Sequence, residues 1–262
     1  MTATGVRRLT GRDEVRALLR VHPERHLLAL GDLDDAFWPH TEFHHGHGQT
    51  FMIYTALAAP VVVAVADPPE GDMTRLAADG AGLLPDHFYG HLSPEAIDGL
   101  RDAYEVSGAT DHAYMTLRGP VTAGATTDVV TLGEADLPEI TALQAAANPH
   151  GGFFEPAMLR AGPYLGVRRK GALVSMAGTH TWSPAERVAV LGNIATHPDH
   201  RGQGLAGDVT AALCRVLGES ADLIGLTVNV ANEPAVRCYR RLGFVTGVTT
   251  VGAHLTRRTT AS

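Results

Sequence analysis

Apolar and amphipathic runs alternate along the chain, and this alternation predicts strands and helices in turn. After Arg201, the residues Leu205, Val209, Leu213 and Val216 recur at the spacing of one helix face. The second half as a whole predicts strands near 128–132, 163–168, 172–181, 187–196, 223–230 and 244–255, and helices near 136–147, 203–217 and 233–241. Such an order is typical of a mixed sheet in an α+β or α/β fold.

The first half shows a similar order. Two β-rich runs flank "AAP" in "TFMIYTALAAPVVVAVADP" and predict a hairpin. A helix near 73–84, a strand and helix within 87–104 and a strand at 112–117 follow. Both halves open alike, with "VRRLTGRDEVRALLR" and "VVTLGEADLPEITALQAA", where a short strand leads through Gly to an acidic helix start. This similarity indicates an internal duplication.

The segment 118–128, "RGPVTAGATTD", is rich in Gly, Thr and Ala, which is typical of a linker. It divides the chain into two predicted domains, an N-terminal α/β domain over 1–120 and a C-terminal domain over 126–262.

Composition and charge narrow the classes of partner and location that we expect for this protein. The 262 residues are 45% hydrophobic and 19% charged, with a net charge of −7 and no block of like charge, so nucleic acid is not expected as a partner. No apolar run approaches the roughly 20 residues that span a bilayer, and the start lacks a signal core. We therefore expect a cytoplasmic protein without membrane contact. Oligomeric state stays open, with a homodimer as one option.

The stretch "LGNIATHPDHRGQGLAGD" carries the clearest candidate chemistry. Pro198 marks the end of an apolar strand, and Gly202, Gly204 and Gly207 lie at or just inside the start of the next helix. A helix N-terminus with close backbone access suits a phosphate group. "GQGLAG" also spells the dinucleotide fingerprint G-x-G-x-x-G, but "HPDHR" separates it from the strand, which makes a nicotinamide cofactor the weaker alternative.

Two segments resemble signatures of the GCN5-related N-acetyltransferase (GNAT) superfamily. The first contains the R/Q-x-x-G-x-G/A motif at Arg201, Gly204 and Ala206. The second, "LTVNVANEPAVRCYRRLGF", matches the family pattern at Asn232, Ala235, Tyr239 and Leu242-Gly243-Phe244. The layout of a degenerate N-terminal half before a complete C-terminal half resembles the FR47-like and glycine N-acyltransferase-like branch.

This resemblance implies a GNAT fold with a splayed central sheet in the C-terminal half, preceded by a smaller GNAT-like half. The N-terminal half is then expected to form part of the cleft for the acyl acceptor or a packing surface. It further implies that acetyl-CoA, as cosubstrate, lies between the splayed strands, with Arg201 adding positive charge. The implied cofactor-binding residues are Ile194, Ala195, Thr196, Gly202, Gln203, Gly204, Leu205, Ala206, Gly207 and Asn232. For Asn232, a helix N-cap role is equally concrete, because Pro234 follows.

The implied activity is direct transfer of an acetyl group to a primary amine on a small molecule or peptide, with Tyr239 as general acid. Tyr239 also shares a helix face with apolar residues, so a core position is its alternative. The sequence departs from the family at the general base, because neither strand beside the cofactor contains a carboxylate and Thr227 stands where some relatives have the acid. His180 is one candidate base, and Glu155 is a candidate base or acceptor contact; a water chain is the remaining option. Without a base, the chain would be a non-catalytic acyl-CoA-binding or regulatory protein.

Four histidines cluster in "WPHTEFHHGHGQ", namely His40, His44, His45 and His47. Their spacing matches no zinc template, and neighbouring residues on a strand point to opposite faces. The expectation is a solvated turn and no metal site, with acceptor recognition by this loop as the minority alternative.

Overall fold

A computed structural model describes residues 5–69, 71–121, 127–148 and 154–259. The strands are β1 Arg7–Leu9, β2 Thr41–Gly46, β3 Gln49–Tyr54, β4 Val61–Ala64, β5 His87–Leu92, β6 Tyr104–Leu117, β7 Val130–Leu132, β8 Tyr164–Arg169, β9 Ala172–Ser183, β10 Val188–Thr196, β11 Leu223–Asn229 and β12 Phe244–Arg257. The α-helices are α1 Arg12–Leu19, α2 Leu27–Gly31, α3 Met73–Gly80, α4 Pro94–Leu100, α5 Leu137–Ala147, α6 Met158–Ala161, α7 Leu205–Gly218 and α8 Glu233–Arg241. Short 3₁₀ helices cover Trp38–His40, Ala81–Leu83, Glu134–Asp136 and Pro198–His200.

The predicted alternation of strands and helices is confirmed, and so is the mixed α/β fold class. Each predicted element of the second half agrees with its observed bounds to within two residues. In the first half, β6 is longer than expected and begins at Tyr104. Its first part is polar and largely exposed, so the apolar pattern reveals only the buried end of the strand.

The chain divides into two compact units. Unit 1 comprises Met1–Tyr114, Asn229–Ala231 and Gly247–Ser262, and unit 2 comprises Met115–Val228 and Asn232–Thr246. Residues 122–126 of the predicted linker lie outside the described residues, so the domain limits at 120 and 126 stay a prediction. No helix among the described residues is long and apolar enough to cross a membrane.

Unit 1 contains a sheet in the order β1-β2-β3-β4-β5-β12-β6. The predicted hairpin is confirmed, since β3 and β4 pair antiparallel, whereas β4 and β5 pair in parallel. Helices α3 and α4 pack against each other and against one sheet face. The fully buried core there includes Leu76, Phe88, Leu92 and Tyr104. Burying large apolar side chains between helices and a sheet supplies the main stabilisation of such a unit.

Unit 2 contains a sheet in the order β11-β10-β9-β8-β7. Neighbouring strands pair antiparallel except β10 and β11, which are parallel. Helix α7 packs along β8, β9 and β10. Apolar residues of α5, α6 and the sheet form a core that contains Ile140, Leu143, Met158, Tyr164 and Met176.

The two halves of the chain repeat the same order of elements. In the first half, β4 leads through a loop to α3, then to β5, α4 and β6. In the second half, β10 leads through a loop to α7, then to β11, α8 and β12, although most of β12 belongs to unit 1. Each unit also opens with a short strand, a glycine and a helix with acidic residues near its start, Gly11 before α1 and Gly133 before the 3₁₀ turn that leads into α5. This repetition matches the duplication indicated by the two similar openings.

Candidate functional site

Strands β10 and β11 pair over a short distance and then part. Their register runs from Val188 opposite Leu223 to Leu191 opposite Leu226. Beyond this pair, β10 continues for five residues and β11 for three. Backbone N–H and C=O groups of a strand alternate between its two sides. This part of β10 keeps β9 on one side and has no paired strand of the described residues on the other, a side that we call the opening. A ligand that carries amide groups can enter such an opening as an added strand.

A bulge interrupts β10 beside the opening. Gly192 lies opposite Gly178, and Ala195 lies opposite Met176. Two β10 residues, Asn193 and Ile194, therefore face a single β9 residue, Ala177. The first of the two, Asn193, has φ of 53°. This left-handed conformation is uncommon for a residue other than glycine. The bulge therefore redirects the backbone groups of β10 at the point where the two strands separate.

The loop after β10 ends at an open helix N-terminus. Gly202 and Gly204 have φ of 75° and 80°, in the region that favours glycine. Gly204 is the N-cap of α7, and no side chain of the described residues caps this end of the helix. The first-turn amides of Leu205, Ala206 and Gly207 therefore lie where a helix lacks its own acceptors. Together with the helix dipole, they form a site that attracts an anion.

Two charged side chains near this loop have partners within the protein. The Arg201 guanidinium donates from Nη2 to the carbonyl oxygen of Ala147 at 2.9 Å and from Nε to that of Thr196 at 3.4 Å. Asp208, in the first turn of α7, accepts a hydrogen bond from the Thr127 hydroxyl at 2.8 Å. Arg201 thus ties the end of α5 to the end of β10, a role that its place in the motif did not suggest.

Helix α8 brings Asn232 and Tyr239 into unit 2. The Asn232 side chain accepts from the backbone N–H of Ala235 at 3.3 Å, so it caps α8 as its spacing to Pro234 predicted. Tyr239 is buried and packs edge-on against Phe244 with ring centroids 6.0 Å apart. Burial raises the pKa of Tyr239, so the hydroxyl stays protonated.

Helix α8 also contacts the start of α7. The Sγ atom of Cys238 lies 3.6 Å from the position that a Cβ on Gly207 would occupy. Cys238 precedes Tyr239, so the predicted acid lies on a helix that touches the open N-terminus. Burial raises the pKa of both cysteine thiols, Cys214 and Cys238, which agrees with small hydrophobic residues rather than nucleophiles.

His180 borders the opening directly. Thr181 lies opposite Val190 and Thr179 opposite Leu191, so His180 is the extra residue of a second bulge, in β9. Its ring occupies the space that a side chain on Gly192 would need. Gly192 is also the first β10 residue beyond the last pair with β11. Burial lowers the pKa of His180 to about 4, and its imidazole is therefore neutral at pH 7.

The other acid–base candidates lie in different surroundings. Glu155 is half-buried in the turn before α6, a helix that packs against β9. Glu186 is buried before the paired end of β10, on the side remote from the opening. Thr227, half-buried, is the first β11 residue beyond the last pair. Among these candidates, His180 has contacts that place it against the open part of β10.

The histidine cluster differs from its expectation as a solvated turn. His44 and His45 lie within β2, and His44 is buried and stacks on Phe51 with ring centroids 5.0 Å apart. His47 pairs with Asp79 at 2.8 Å. The expectation failed because polar residues of an inner strand can be buried when an aromatic ring covers them, which the pattern of apolar positions does not show. Among the described residues, no group of three or more His, Cys, Asp or Glu side chains is arranged to hold a metal ion.

Comparison with known proteins shows which family the second half of the chain resembles. Residues 135–244 match the family model described as "Acetyltransferase (GNAT) family". Over this span the chain is similar to GNAT acetyltransferases. The matched span includes β8 to α8, and with them the opening, the loop that contains Gly202 and Gly204, and α7.

Individual relatives agree with this family. A mycothiol acetyltransferase from Corynebacterium aurimucosum is 41% identical over 76 residues, which cover 27% of this chain and 25% of that protein. A GNAT-family structure from Novosphingobium aromaticivorans is 25% identical, with a TM-score of 0.61 over 94% of this chain and 97% of that one. A protein from Drosophila has a TM-score of 0.69 at 13% identity over 96% and 98% of the two chains, a likeness of fold alone.

Sequence reasoning missed the residues that surround the bulge in β10, namely Gln144, Tyr164 and Asn193. The one available signal was Asn193 itself, because asparagine is depleted in strands and enriched in left-handed conformations.

Proposed function

We propose that unit 2 is an acetyl-CoA-dependent N-acetyltransferase that transfers an acetyl group to a primary amine by direct attack. The observation that carries this proposal is the parting of β10 and β11 immediately before an uncapped helix N-terminus. Pantetheine contains amide groups that suit an open strand edge, and its pyrophosphate suits the amides of α7. The family and the mycothiol acetyltransferase relative support acetyl transfer in general.

In this proposal, β10 supplies Ile194, Ala195 and Thr196 to the pantetheine arm. The pyrophosphate is bound by the loop and the first turn of α7, namely Gly202, Gln203, Gly204, Leu205, Ala206 and Gly207. Asn232 holds the start of α8 and contacts the cofactor beside it. The site then needs no metal, since backbone amides and the helix dipole balance the phosphate charge.

The proposed steps of acetyl transfer follow from this placement of the cofactor. The amine nitrogen bonds to the thioester carbon, the carbon–sulfur bond breaks, and the CoA thiolate takes a proton from the Tyr239 hydroxyl. The amine loses its own proton to a base, for which His180 is the candidate with contacts beside the opening. Glu155 is the alternative, as a base or as a contact of the acceptor.

The low pKa of His180 favours weakly basic acceptors. At pH 7.5, about a third of α-amino groups with a pKa of about 7.8 are neutral, but only about 0.1% of lysine-type amines with a pKa of about 10.4. A neutral imidazole with a pKa of about 4 is a weak base and cannot readily deprotonate an alkylammonium ion. We therefore propose an acceptor whose amine is largely neutral already, such as an α-amine of a small molecule or peptide.

Unit 1 is proposed not to bind the cofactor. Its strands β4 and β5 stay paired up to Ala64, and the N–H of Ser93 then donates to the Ala64 carbonyl at 2.8 Å. The following helix, α3, is capped by the Asp72 carboxylate, which accepts from the N–H of Arg75 at 2.9 Å. A carboxylate at this end competes for the amides and repels phosphate. CoA bound in unit 1 would contradict this proposal.

The cofactor site is tested by thermal-shift titration with acetyl-CoA, CoA and NAD. A ligand that binds only the native state raises stability, by about 2.7 kcal/mol at a hundredfold excess over Kd. We expect stabilisation by both CoA compounds, none by NAD, and loss of the effect in Gly204→Glu, which places bulk and negative charge at the open helix end.

A matched control for this variant is Gly119→Glu. Gly119 has φ of 76°, and a Cβ would meet no atom of the described residues within 4 Å, as at Gly204. Gly119 lines a cavity with Gly218, at the far end of α7, about 20 Å from Gly204 along the helix. The control should keep the CoA response. If wild type shows no response to CoA, the proposed function is wrong.

Catalysis is tested separately, by CoA release in the presence of amines that span pKa values from about 7 to 10 at constant pH. We expect turnover to favour the least basic amines. Cofactor binding without turnover on any amine would instead support the non-catalytic acyl-CoA-binding alternative.

A further inference from the structure

We infer that Asn193, Tyr164 and Gln144 form a positioning network that fixes the bulge in β10 and thereby aims the β10 amides at the thioester carbonyl of bound acetyl-CoA. The inference rests on the proposed function of unit 2 and deepens it. These residues touch the strand rather than the reacting atoms, so their role is to position the groups that do.

The side chain of Asn193 is held from outside its own strand. Its Nδ2 donates to the hydroxyl oxygen of Tyr164 at 2.9 Å and approaches Sδ of Met158 at 3.3 Å. The Tyr164 hydroxyl in turn donates to the carbonyl oxygen of Thr179 at 3.2 Å. Tyr164 is 1% exposed, and burial raises its pKa to about 12, so the hydroxyl stays neutral and can both donate and accept.

The backbone of Asn193 is held from a second direction. Gln144, on α5, donates from Nε2 to the Asn193 carbonyl oxygen at 3.3 Å. Its Oε1 accepts from Nδ2 of Asn148 at 2.8 Å, which orients the amide. Gln144 is buried at 8% exposure, and both of these bonds are partly shielded from solvent. Both the side chain and the carbonyl of one bulge residue are thus fixed by groups from β8 and α5.

Folding alone does not explain this arrangement. The surrounding cluster is apolar, with Leu143, Met176 and Ala195 as neighbours, and buried polar groups in such a core must be satisfied. A continuous ladder without Asn193 would need neither the left-handed residue nor its three partners. Strained backbone that is over-determined by its neighbours is concentrated at functional sites. Here it borders the place where β10 and β11 part.

The chemistry needs such control of direction. When an amine attacks the thioester, negative charge develops on the carbonyl oxygen, and a fixed amide donor stabilises it. Removal of one such donor costs about 10²- to 10³-fold in kcat in known enzymes. A loosened bulge leaves the amide present but poorly aimed, so we expect a smaller loss, of about 10- to 100-fold in kcat, with little change in KM for acetyl-CoA.

The test measures the stretching frequency of the thioester carbonyl. Acetyl-CoA labelled with ¹³C at the thioester carbonyl is bound to wild type, Asn193→Ala and Tyr164→Phe, and its stretching frequency is read by isotope-edited infrared spectroscopy. Polarisation by a hydrogen bond lowers this frequency. We expect a downshift on binding to wild type and a loss of at least half of it in both variants, while Kd for acetyl-CoA stays within about threefold, because phosphate and pantetheine contacts are retained.

Two further variants separate positioning from folding. Asn193→Gly can adopt the positive φ without strain, so it should keep more of the downshift than Asn193→Ala. Tyr114→Phe removes a buried hydroxyl that has no hydrogen-bond partner among the described residues, so it should leave the frequency unchanged. Circular dichroism confirms that each variant is folded.

Each outcome has a clear meaning. Variants that bind acetyl-CoA with the wild-type carbonyl frequency would overturn the positioning network and leave the proposed function intact. An unshifted carbonyl in wild type that binds acetyl-CoA would also overturn the network. Failure of wild type to bind acetyl-CoA would overturn the proposed function, and this inference with it.

Discussion

His180 should make the stability of unit 2 depend on pH in a way that one substitution removes. An unfolded histidine has a pKa near 6.5, whereas burial lowers the pKa of His180 in the folded protein to about 4. Between these values the unfolded chain binds a proton that the native protein does not. Stability contributed by the neutral ring is therefore complete above about pH 6.5 and is lost as the pH falls towards 4.

The size of the effect follows from the two pKa values. Each pKa unit corresponds to about 1.36 kcal/mol, so the linkage relation gives a loss of about 2 kcal/mol between pH 7 and pH 5. His180 is not fully enclosed, since part of its surface remains accessible. Solvent screening reduces the loss, and we expect about 1 to 2 kcal/mol.

The measurement is urea unfolding of wild type and His180→Gln at pH 7 and pH 5. The two tryptophans are Trp38 in unit 1 and Trp182 in unit 2, so a Trp38→Phe background leaves Trp182 fluorescence as the reporter of unit 2. Wild type should lose about 1 to 2 kcal/mol more than His180→Gln on acidification. The exposed His40, changed to Gln, serves as control and should behave as wild type. Equal losses in wild type and His180→Gln would refute the buried, neutral histidine.

Three further changes test other parts of the site. Asn232→Ala should destabilise unit 2 by about 1 kcal/mol in urea unfolding, and Asn232→Ser should restore stability, because asparagine and serine side chains can both cap a helix. A stable Asn232→Ser with weakened acetyl-CoA binding would show that Asn232 also contacts the cofactor. If Asn232→Ala does not destabilise unit 2, the capping role is wrong. Tyr239→Phe should lower kcat by about 10²-fold with unchanged KM for acetyl-CoA, and an unaltered kcat would leave Tyr239 as a core residue. Gly192→Ala should cost about 1 to 3 kcal/mol through overlap with the His180 ring, and much less in a His180→Ala background; equal costs in both backgrounds would contradict the contact.

The secondary structure of unit 2 was predictable because its elements carry local signals. Helix α7 shows one apolar stripe at helical spacing, and β10 is a mostly apolar run that Pro198 follows two residues after its end. The open helix end was predictable for the same reason. Gly202 and Gly204 occupy backbone conformations that favour glycine, so the residue type at each position is itself the signal for the conformation.

The two bulges were not predictable, because a bulge is a property of the register between strands. His180 and Asn193 each become the extra residue of a strand only when β9 and β10 are aligned. The same holds for His44, whose burial depends on the ring of Phe51 across the β2–β3 pair. The pattern of apolar and polar residues along one segment therefore does not predict a role that depends on a partner strand.

The two units show why fold order alone does not determine ligand binding. Both place a parallel strand pair before a loop and a helix, yet Asp72 caps the helix of unit 1, whereas Gly204 leaves the helix of unit 2 uncapped. In unit 1 the N–H of Ser93 also continues the bonding of β4, while in unit 2 the pairing stops at Leu191. An anion site on this framework therefore depends on two local features, an uncapped helix and a strand released from its neighbour. Since unit 1 lacks both, restoring only one of them, for example by Asp72→Gly, would not be enough to create a CoA site there.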